Sequence, residues 1–281
     1  MKPFCRNRAR GMLVGLAVGD AVGTTVEFCE RGSFPEVTDM IGGGKFQLEP
    51  GQWTDDTSMA LCLADSLLHA GGWDAADCMR RFLDWHEEGH NSVTGECFDI
   101  GTQTTGALTR FKSTGAPYAG PTEEAQSGNG GLMRLAPVVI AFGADPDEIR
   151  HAARLQSRTT HGSETCLRLA ADMATQLATG HHQTLPVPAS PPEEVTGYAV
   201  HTYDAACWAV GHTSTFRDAI LAVVNLGGDA DTAGAIAGQI AGAFYGYDAI
   251  PEEWRERLWW HDEIVERADR LWHLIPNPPD M

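Results

Sequence analysis

The sequence has few basic residues and no paired-cysteine motif, and each shortage excludes a class of protein. Lys and Arg together number 20 against 38 Asp and Glu, giving a formal net charge of -18 over 281 residues. Such a surface repels phosphate backbones, so nucleic acid is not expected as a main partner, whereas divalent cations and cationic protein surfaces are favoured. The seven cysteines are scattered without a CxxC pair, a pattern typical of reduced, cytoplasmic thiols.

Long apolar runs are also lacking. No uninterrupted run reaches about 18 residues, so no membrane span is expected. The N-terminal stretch MKPFCRNRARGMLVGLAVGDAVG imitates a secretory signal, but Asp20 interrupts it and glycines recur every four residues at Gly11, Gly15, Gly19 and Gly23. This spacing places the glycines on one helical face. The segment is therefore predicted to be a helix packed in the core of a cytoplasmic protein.

Strand patterns are scarce, and the short VTDMI at 37–41 is the main candidate. Apolar residues recur with helical spacing in the segments 58–70, 74–86, 133–142, 164–178, 199–211, 215–226, 232–246 and 252–274. The Pro-rich stretch LPVPASPPEEVTG (185–197) predicts a surface loop, and its flanks are too similar in composition to mark a domain boundary. With no repeat of solenoid length, the prediction is one compact all-α domain spanning residues 1–281.

A second glycine series lies in NLGGDADTAGAIAGQIAGAFYG (225–246). Its members are Gly234, Gly238, Gly242 and Gly246, again four residues apart. Two helices that each lack side chains along one face can approach backbone to backbone. The membrane version of this pattern needs an apolar segment of about twenty residues, and Gln239 favours a buried helix of a soluble domain instead.

Oxygen-bearing side chains precede two of the predicted helices. The stretch GQWTDDTSMALCLADSLL contains Thr-Asp-Asp-Thr at 54–57, and Asp-Ala-Asp-Thr follows two glycines at 229–232. One interpretation is helix capping, with negative charge placed favourably on the helix dipole. A cap needs one oxygen, however, and each cluster supplies several, as Mg²⁺ and Mn²⁺ sites require. Metal binding is the preferred interpretation, and paired cations need several carboxylates of this kind.

Six motifs, in this order, resemble the ADP-ribosylglycohydrolase family, in particular the bacterial dinitrogenase reductase-activating glycohydrolases. They are GMLVGLAVGDAVG with Glu27 following, QWTDDTSMAL, FDIGTQT, GNGGLMR, the histidine of SRTTHG, and NLGGDADTAGAIAGQIAGAFYG, and they span residues 8–247. The most specific are WTDDT and GGDADT. The resemblance implies an all-α orthogonal bundle, two Mg²⁺ or Mn²⁺ ions, and hydrolysis of the bond between ADP-ribose and a protein side chain.

The resemblance also implies a ligand set and a nearby glutamate. The metal ligands would be Thr54, Asp55, Asp56, Asp229, Asp231 and Thr232. Glu27 matches a family glutamate close to the metals and is expected to act as a ligand or a base. On local grounds alone, Glu27 is equally well explained as a solvated carboxylate at a helix end.

The glycine turn, residues 127–131, is the candidate anion site. Its residues Ser127, Gly128, Asn129, Gly130 and Gly131 offer backbone N–H groups that side chains do not shield. Asn-Gly is also a common turn pair, so local sequence alone favours a plain loop. The resemblance assigns the turn to ADP-ribose and places His161 of TTHGSET near the substrate, although a histidine before a helix is often structural.

Asp99 of FDIGTQT bears on substrate specificity. In the arginine-specific bacterial members an aspartate in a similar setting faces the bond to be broken. A carboxylate there can pair bidentately with a guanidinium and transfer a proton to the leaving nitrogen. An aspartate capping a turn before Gly101 fits the local sequence almost equally well.

The prediction is therefore a hydrolase that releases ADP-ribose from an arginine-modified protein, with Asp99 and Glu27 as catalytic residues. The alternatives are hydrolysis of a serine-linked or other O-linked substrate, a two-metal phosphohydrolase, and a non-catalytic binding or structural relative. HEEGH at 86–90 matches the zinc-peptidase pattern, but Gly89 is expected to end the helix before the second histidine.

Overall fold

The computed structural model describes residues 4–143 and 145–275. The α-helices in this part of the chain are α1 (Arg6–Gly23), α2 (Asp55–Ala70), α3 (Ala75–Glu88), α4 (Thr102–Thr114), α5 (Gly130–Met133), α6 (Ala136–Phe142), α7 (Pro146–Thr160), α8 (Glu164–Thr179), α9 (Ala199–His212), α10 (Phe216–Val224), α11 (Ala230–Tyr245), α12 (Glu252–Arg257) and α13 (His261–Trp272). The predicted all-α class is confirmed. Among these helices, none combines the length and apolar character that a membrane crossing needs.

Helices α1 and α11 pack against each other at the centre of the fold. A Cβ atom at Gly15 would lie 2.3 Å from the carbonyl oxygen of Gly238, and one at Gly238 would lie 1.9 Å from the oxygen of Gly15. Both helices are buried along most of their length. Since such distances are far inside van der Waals contact, the two backbones can meet only through glycine. The backbone-to-backbone packing expected from the two glycine series is confirmed.

Replacing Gly238 with alanine is expected to destabilise the fold by about 3 kcal/mol, because the added methyl group meets backbone that cannot move aside. For a chain of this size, the loss corresponds to a fall in Tm of roughly 6–12 °C, measured by calorimetry. Gly72→Ala is the matched control, since a Cβ there meets nothing within 4 Å. A Gly238→Ala variant as stable as this control would show that the close approach is not needed.

Three local predictions need correction. The 37–41 stretch is irregular, because the backbone N–H and C=O of Val37 pair with the side chain of Asn225 rather than with a strand. The helical segment 252–274 is divided between α12 and α13, where Trp260 adopts a left-handed φ of 55°. Helices α4 and α7 were not predicted, because their sequences carry few apolar residues.

The zinc-peptidase pattern at 86–90 does not form a metal site. Helix α3 ends at Glu88, and Gly89 adopts a left-handed φ of 69° as its C-terminal cap. His90 therefore lies beyond the helix that carries His86. The two histidines therefore do not share a helical face, and the prediction that Gly89 ends the helix before the second histidine is confirmed.

Candidate active site

Asp20, on the central helix α1, fixes the start of α2. Its wholly buried carboxylate accepts hydrogen bonds from the backbone N–H of Thr54 (2.9 Å) and Thr57 (3.1 Å) and from both threonine hydroxyls (2.9 and 2.6 Å). These bonds satisfy first-turn amides that a helix leaves without partners. They also direct the single hydroxyl hydrogen of Thr54 toward Asp20, so the oxygen lone pairs are free for other contacts.

The two oxygen clusters place acidic residues in the first turns of α2 and α11, but their N-cap side chains do not cap these helices. Thr54 precedes α2 and Asp229 precedes α11, yet in the described structure neither side chain makes a capping hydrogen bond. Instead, Thr54 Oγ1 lies 3.2 Å from Asp231 Oδ2 and 3.4 Å from Asp56 Oδ2. The starts of α2 and α11 thus bring the two clusters together in space, although Thr54 and Asp231 are 177 residues apart in the sequence.

Five carboxylates form what we call the acidic cluster, which consists of Glu27, Asp55, Asp56, Asp99 and Asp231. Within it, Asp55, Asp56 and Asp231 offer oxygens that all lie within 4.8 Å of one another, and so do Glu27, Asp99 and Asp231. Asp231 belongs to both groups. Asp56 Oδ1, Asp231 Oδ1 and Glu27 Oε2 are buried, and no group among the described residues donates a hydrogen bond to them.

Burial dominates the electrostatics of the acidic cluster. It raises the pKa of Asp55, Asp56 and Asp231 well above the ordinary range, and neighbouring carboxylates add to the effect. Burial likewise raises the pKa of Glu27 to about 10 and that of Asp99 to about 7. Buried carboxylates without counter-charges are costly. Because every donor is a hard oxygen, the residues fit Mg²⁺ or Mn²⁺.

The two other predicted ligands lie at the edge of the acidic cluster. Thr232 Oγ1 is 3.5 Å from Asp56 Oδ2. Asp229 Oδ2 accepts a 2.7 Å hydrogen bond from the side-chain amide of Asn129, and burial raises the pKa of Asp229. The structure therefore brings all six predicted ligands, together with Glu27 and Asp99, into one region.

Two left-handed glycines connect this region to distant loops. Gly227 and Gly228 both adopt a φ of 68°, and a Cβ at Gly228 would lie 2.0 Å from the carbonyl oxygen of Val195. Phe28 N–H donates to Gly228 O (2.7 Å), and Asp229 N–H donates to Val195 O (2.9 Å). Backbone hydrogen bonds therefore connect the start of α11 to the segment that follows Glu27 and to the end of the Pro-rich loop.

A cavity of about 600 Å³ opens in front of the acidic cluster. Its acidic wall comprises Glu27, Asp55, Asp99, Asp229 and Asp231, and the rest includes Thr232, Gln103, residues 128–130, His161 and residues 195–197. Thr54 and Asp56 are fully buried and do not line it. The volume is typical of small-molecule sites. Residues 195–197 belong to the stretch predicted as a surface loop, and here they form part of the cavity wall.

The glycine turn contributes to the cavity unevenly. Gly128 N–H donates to Gln103 Oε1 (3.3 Å), and Asn129 N–H donates to Gly197 O (3.1 Å). The amides of Gly130 and Gly131 open α5, where backbone N–H groups have no partner inside a helix. Gly128, Asn129 and Gly130 line the cavity, as does His161.

The remaining residues of the glycine turn pack behind it. The hydroxyl of Ser127 lies 2.8 Å from Ser163 Oγ and donates to Glu124 O at 2.8 Å. A Cβ at Gly131 would lie 2.4 Å from Ser157 Oγ. Neither Ser127 nor Gly131 is among the residues that line the cavity.

Asp99 occupies a conformation that few residue types tolerate. Its φ is 60°, in the left-handed region where Asp and Asn are the most accepted residues after glycine. Gly101, and not Asp99, is the N-cap of α4. The Asp99 carboxylate lies instead with Glu27 and Asp231, on the cavity wall.

Sequence reasoning missed several residues of this region. Asp20 was noted only as an interruption of an apolar run, although a carboxylate inside an apolar helix is itself a signal of a polar partner. Gln103 belongs to the FDIGTQT motif, in which only Asp99 was singled out. Phe28 and residues 195–197 line the cavity without belonging to a motif that indicates a chemistry, and no sequence pattern could have identified them.

Comparison with known proteins identifies the family. The family model for ADP-ribosylglycohydrolase matches residues 1–189 and 170–280. The chain is 40% identical to an ADP-ribosylarginine hydrolase Tri1 of Serratia proteamaculans (96% of this chain, 80% of that protein) and 35% identical to an ADP-ribosyl-[dinitrogen reductase] glycohydrolase of Rhodospirillum rubrum (95% of each). A solved ADP-ribosylglycohydrolase-related protein complex superposes with a TM-score of 0.85 at 41% identity, covering 96% of this chain and 98% of that one. The chain therefore belongs to the ADP-ribosylglycohydrolase family.

Proposed function

We propose that this protein hydrolyses the N-glycosidic bond between ADP-ribose and an arginine side chain of a modified protein. The supporting observation is the position of Asp99, which lies beside Glu27 and Asp231 on the cavity wall. A carboxylate there matches a guanidinium in charge and in bidentate geometry. The two relatives named ADP-ribosylarginine hydrolase, at 40% and 38% identity, support the same linkage.

Two divalent cations, Mg²⁺ or Mn²⁺, would be held by Thr54, Asp55, Asp56, Asp229, Asp231 and Thr232. The unpartnered oxygens of Asp56 and Asp231 are the main support for this assignment. When bound, the cations supply Lewis acidity at the ribose and offset the charge of the acidic cluster. Asp231, which lies close to Asp55 and Asp56 and also to Glu27 and Asp99, would contribute to holding both cations, whereas Glu27 and Asp99 keep the catalytic roles.

The protein's own side chains then position the substrate and move protons. Asp99 orients the guanidinium, and its carboxyl group, whose pKa burial raises to about 7, can pass a proton to the leaving nitrogen. Glu27, in the ionised form that the positive charge of bound cations would favour over its raised pKa of about 10, would take a proton from the attacking water. In the net reaction the water oxygen bonds to the anomeric carbon, the carbon–nitrogen bond breaks, and its electron pair stays with the guanidine nitrogen. The products are free ADP-ribose and unmodified arginine.

The rest of the cavity suits the ADP-ribose moiety. The backbone amide of Gly130, which lines the cavity, can donate to a phosphate oxygen. Gln103, whose side-chain oxygen accepts from Gly128 N–H, presents its amide at the same wall. The volume of about 600 Å³ is sufficient for a nucleotide-sized ligand.

The test is release of ADP-ribose from proteins modified on arginine and on serine, with Mg²⁺ or Mn²⁺ and then with a chelator. We expect cation-dependent release from arginine, with intact ADP-ribose identified by mass spectrometry. Release from serine alone would contradict the role of Asp99. Cleavage within the diphosphate would indicate a phosphohydrolase, and no release from either substrate would favour a binding or structural relative.

A further inference from the structure

Arg134 is a buried cation that the proposed reaction does not use. It is 0% exposed, and among the described residues no carboxylate accepts a hydrogen bond from it. Its guanidinium donates instead to Gln156 and to the hydroxyls of Thr159 and Thr160, and it lies 4.6 Å from the ring centroid of Phe82. A buried charge without a counter-ion is costly, so the hydrogen bonds of Arg134 call for an explanation beyond packing.

The shortest of these bonds leads to His161. Arg134 Nη2 donates to Thr160 Oγ1 at 2.6 Å, and Thr160 Oγ1 lies 2.8 Å from His161 Nδ1. A guanidinium can only donate, so the hydroxyl oxygen is the acceptor in the first contact. Among the described residues the hydroxyl hydrogen has no other acceptor than Nδ1. If Nδ1 carried a hydrogen instead, the buried hydroxyl hydrogen of Thr160 would be left unpaired, which is unfavourable.

The opposite edge of the imidazole ring faces the glycine turn. A Cβ at Gly130 would lie 2.4 Å from His161 Cε1, and one at Gly128 would lie 3.0 Å from Nε2. The ring lines the cavity although His161 is only 4% exposed. Burial, reinforced by the charge of Arg134, lowers the pKa of His161 to about 3, so the ring is neutral at physiological pH. A neutral ring acts as either donor or acceptor at Nε2, depending on its tautomer.

We infer that Thr160, whose hydroxyl is oriented by Arg134, is a positioning residue that holds His161 in the tautomer with hydrogen on Nε2. In this tautomer, His161 Nε2 donates a hydrogen bond to an anionic ligand at the glycine turn. The identity of that anion, the diphosphate of ADP-ribose, rests on the proposed function. The opposite tautomer would present a lone pair to the diphosphate and repel it. Arg134 thereby acts on the anion site through two hydrogen bonds, without contacting the ligand.

The test compares Thr160→Val with Thr160→Ser by ¹⁵N NMR of the histidine side chains, with the His161 signals assigned from their loss in His161→Gln. In the ligand-free protein we expect a protonated Nε2 and a bare Nδ1, unchanged between pH 5 and 8. Thr160→Ser retains this pattern. Thr160→Val lacks the hydroxyl, mixes the tautomers and weakens ADP-ribose binding in proportion to the fraction of His161 that keeps hydrogen on Nε2, about twofold for an equal mixture. In turnover, KM rises while kcat changes little, because the ligand contact persists into the transition state.

Thr159→Val is the matched control. Thr159 is equally buried, lies on the same helix and also accepts a hydrogen bond from Arg134, but its hydroxyl donates to Gln156 O rather than to His161. The control is expected to leave the His161 tautomer unchanged. Hydrogen on Nδ1 in the wild type, or an unaltered tautomer in Thr160→Val, would overturn the inference. Because the tautomer is measured without substrate, a failure of the proposed function would leave this result intact.

Discussion

Replacing Asp231 with asparagine is expected to reduce the release of ADP-ribose by about a thousandfold. Asp231 is the carboxylate common to both groups of the acidic cluster, and its Oδ1 is buried without a hydrogen-bond partner in the described part of the chain. An amide is a weaker ligand for a hard cation and carries no charge. Losing one electrostatic contact at a reacting centre costs about a hundred- to a thousandfold, and we propose that this residue helps to hold both cations.

The same substitution is expected to stabilise the cation-free protein. Burial, together with the charges of Glu27 and Asp56, raises the pKa of Asp231 well above its usual range. A raised folded-state pKa means that ionisation of Asp231 destabilises the fold, increasingly so as the pH rises above about 4, the unfolded value. With chelator present, Asp231→Asn should therefore raise Tm at pH 8 and leave it nearly unchanged near pH 4.

Asp84→Asn provides the control for both measurements, because Asp84 is an exposed residue of α3 far from the cavity lining. It should alter neither the release of ADP-ribose nor the Tm at pH 8. If Asp231→Asn instead lowered Tm in the presence of chelator, the carboxylate would have a structural partner, and the loss of activity would no longer indicate a cation ligand.

Replacing Asp99 with asparagine is expected to reduce kcat/KM for an arginine-linked substrate by about a hundred- to ten-thousandfold, the usual contribution of a general acid. Asparagine tolerates the left-handed φ of 60° at this position, so the backbone should be unaffected. The amide cannot form the charged bidentate pair with a guanidinium and has no proton of suitable acidity to transfer.

Asp99→Asn should nevertheless bind ADP-ribose with nearly wild-type affinity, as measured by calorimetry, because the product contains no guanidinium. Gln103→Asn provides the contrast, since Gln103 contacts the glycine turn rather than Glu27. It should weaken ADP-ribose binding more than Asp99→Asn does. Undiminished release from arginine by Asp99→Asn would show that another residue faces the leaving group.

The features that could be predicted from the sequence are those that follow from the spacing of residue types within one segment. Gly15 and Gly238 belong to series of glycines spaced by four residues. This spacing indicates a helix face without side chains, even when the helix that packs against it is unknown. The ligand clusters at 54–57 and 229–232 were recognisable because several oxygens precede one helix. Helix α7 was missed for the opposite reason. Asp145 caps it and Pro146 begins it, but its sequence is so polar that few apolar residues recur with helical spacing.

The features that could not be predicted depend on contacts between distant segments. Asp20 accepts from Thr54 and Thr57, more than thirty residues away. Val195 meets Asp229, and Asp99 meets Glu27, only once the helices have packed. A single sequence carries the residue types of such contacts but not their partners. The site was therefore predicted as a set of motifs, and its geometry emerged from the fold.

The most direct test of the central claim, that Asp231 joins two cation positions beside the cavity, is a count of bound Mn²⁺ with electron paramagnetic resonance. We expect two Mn²⁺ per chain with the exchange-coupled spectrum of ions about 3.5–4 Å apart, and loss of that coupling in Asp231→Asn. A single ion with an uncoupled spectrum, or no bound ion at all, would contradict the claim.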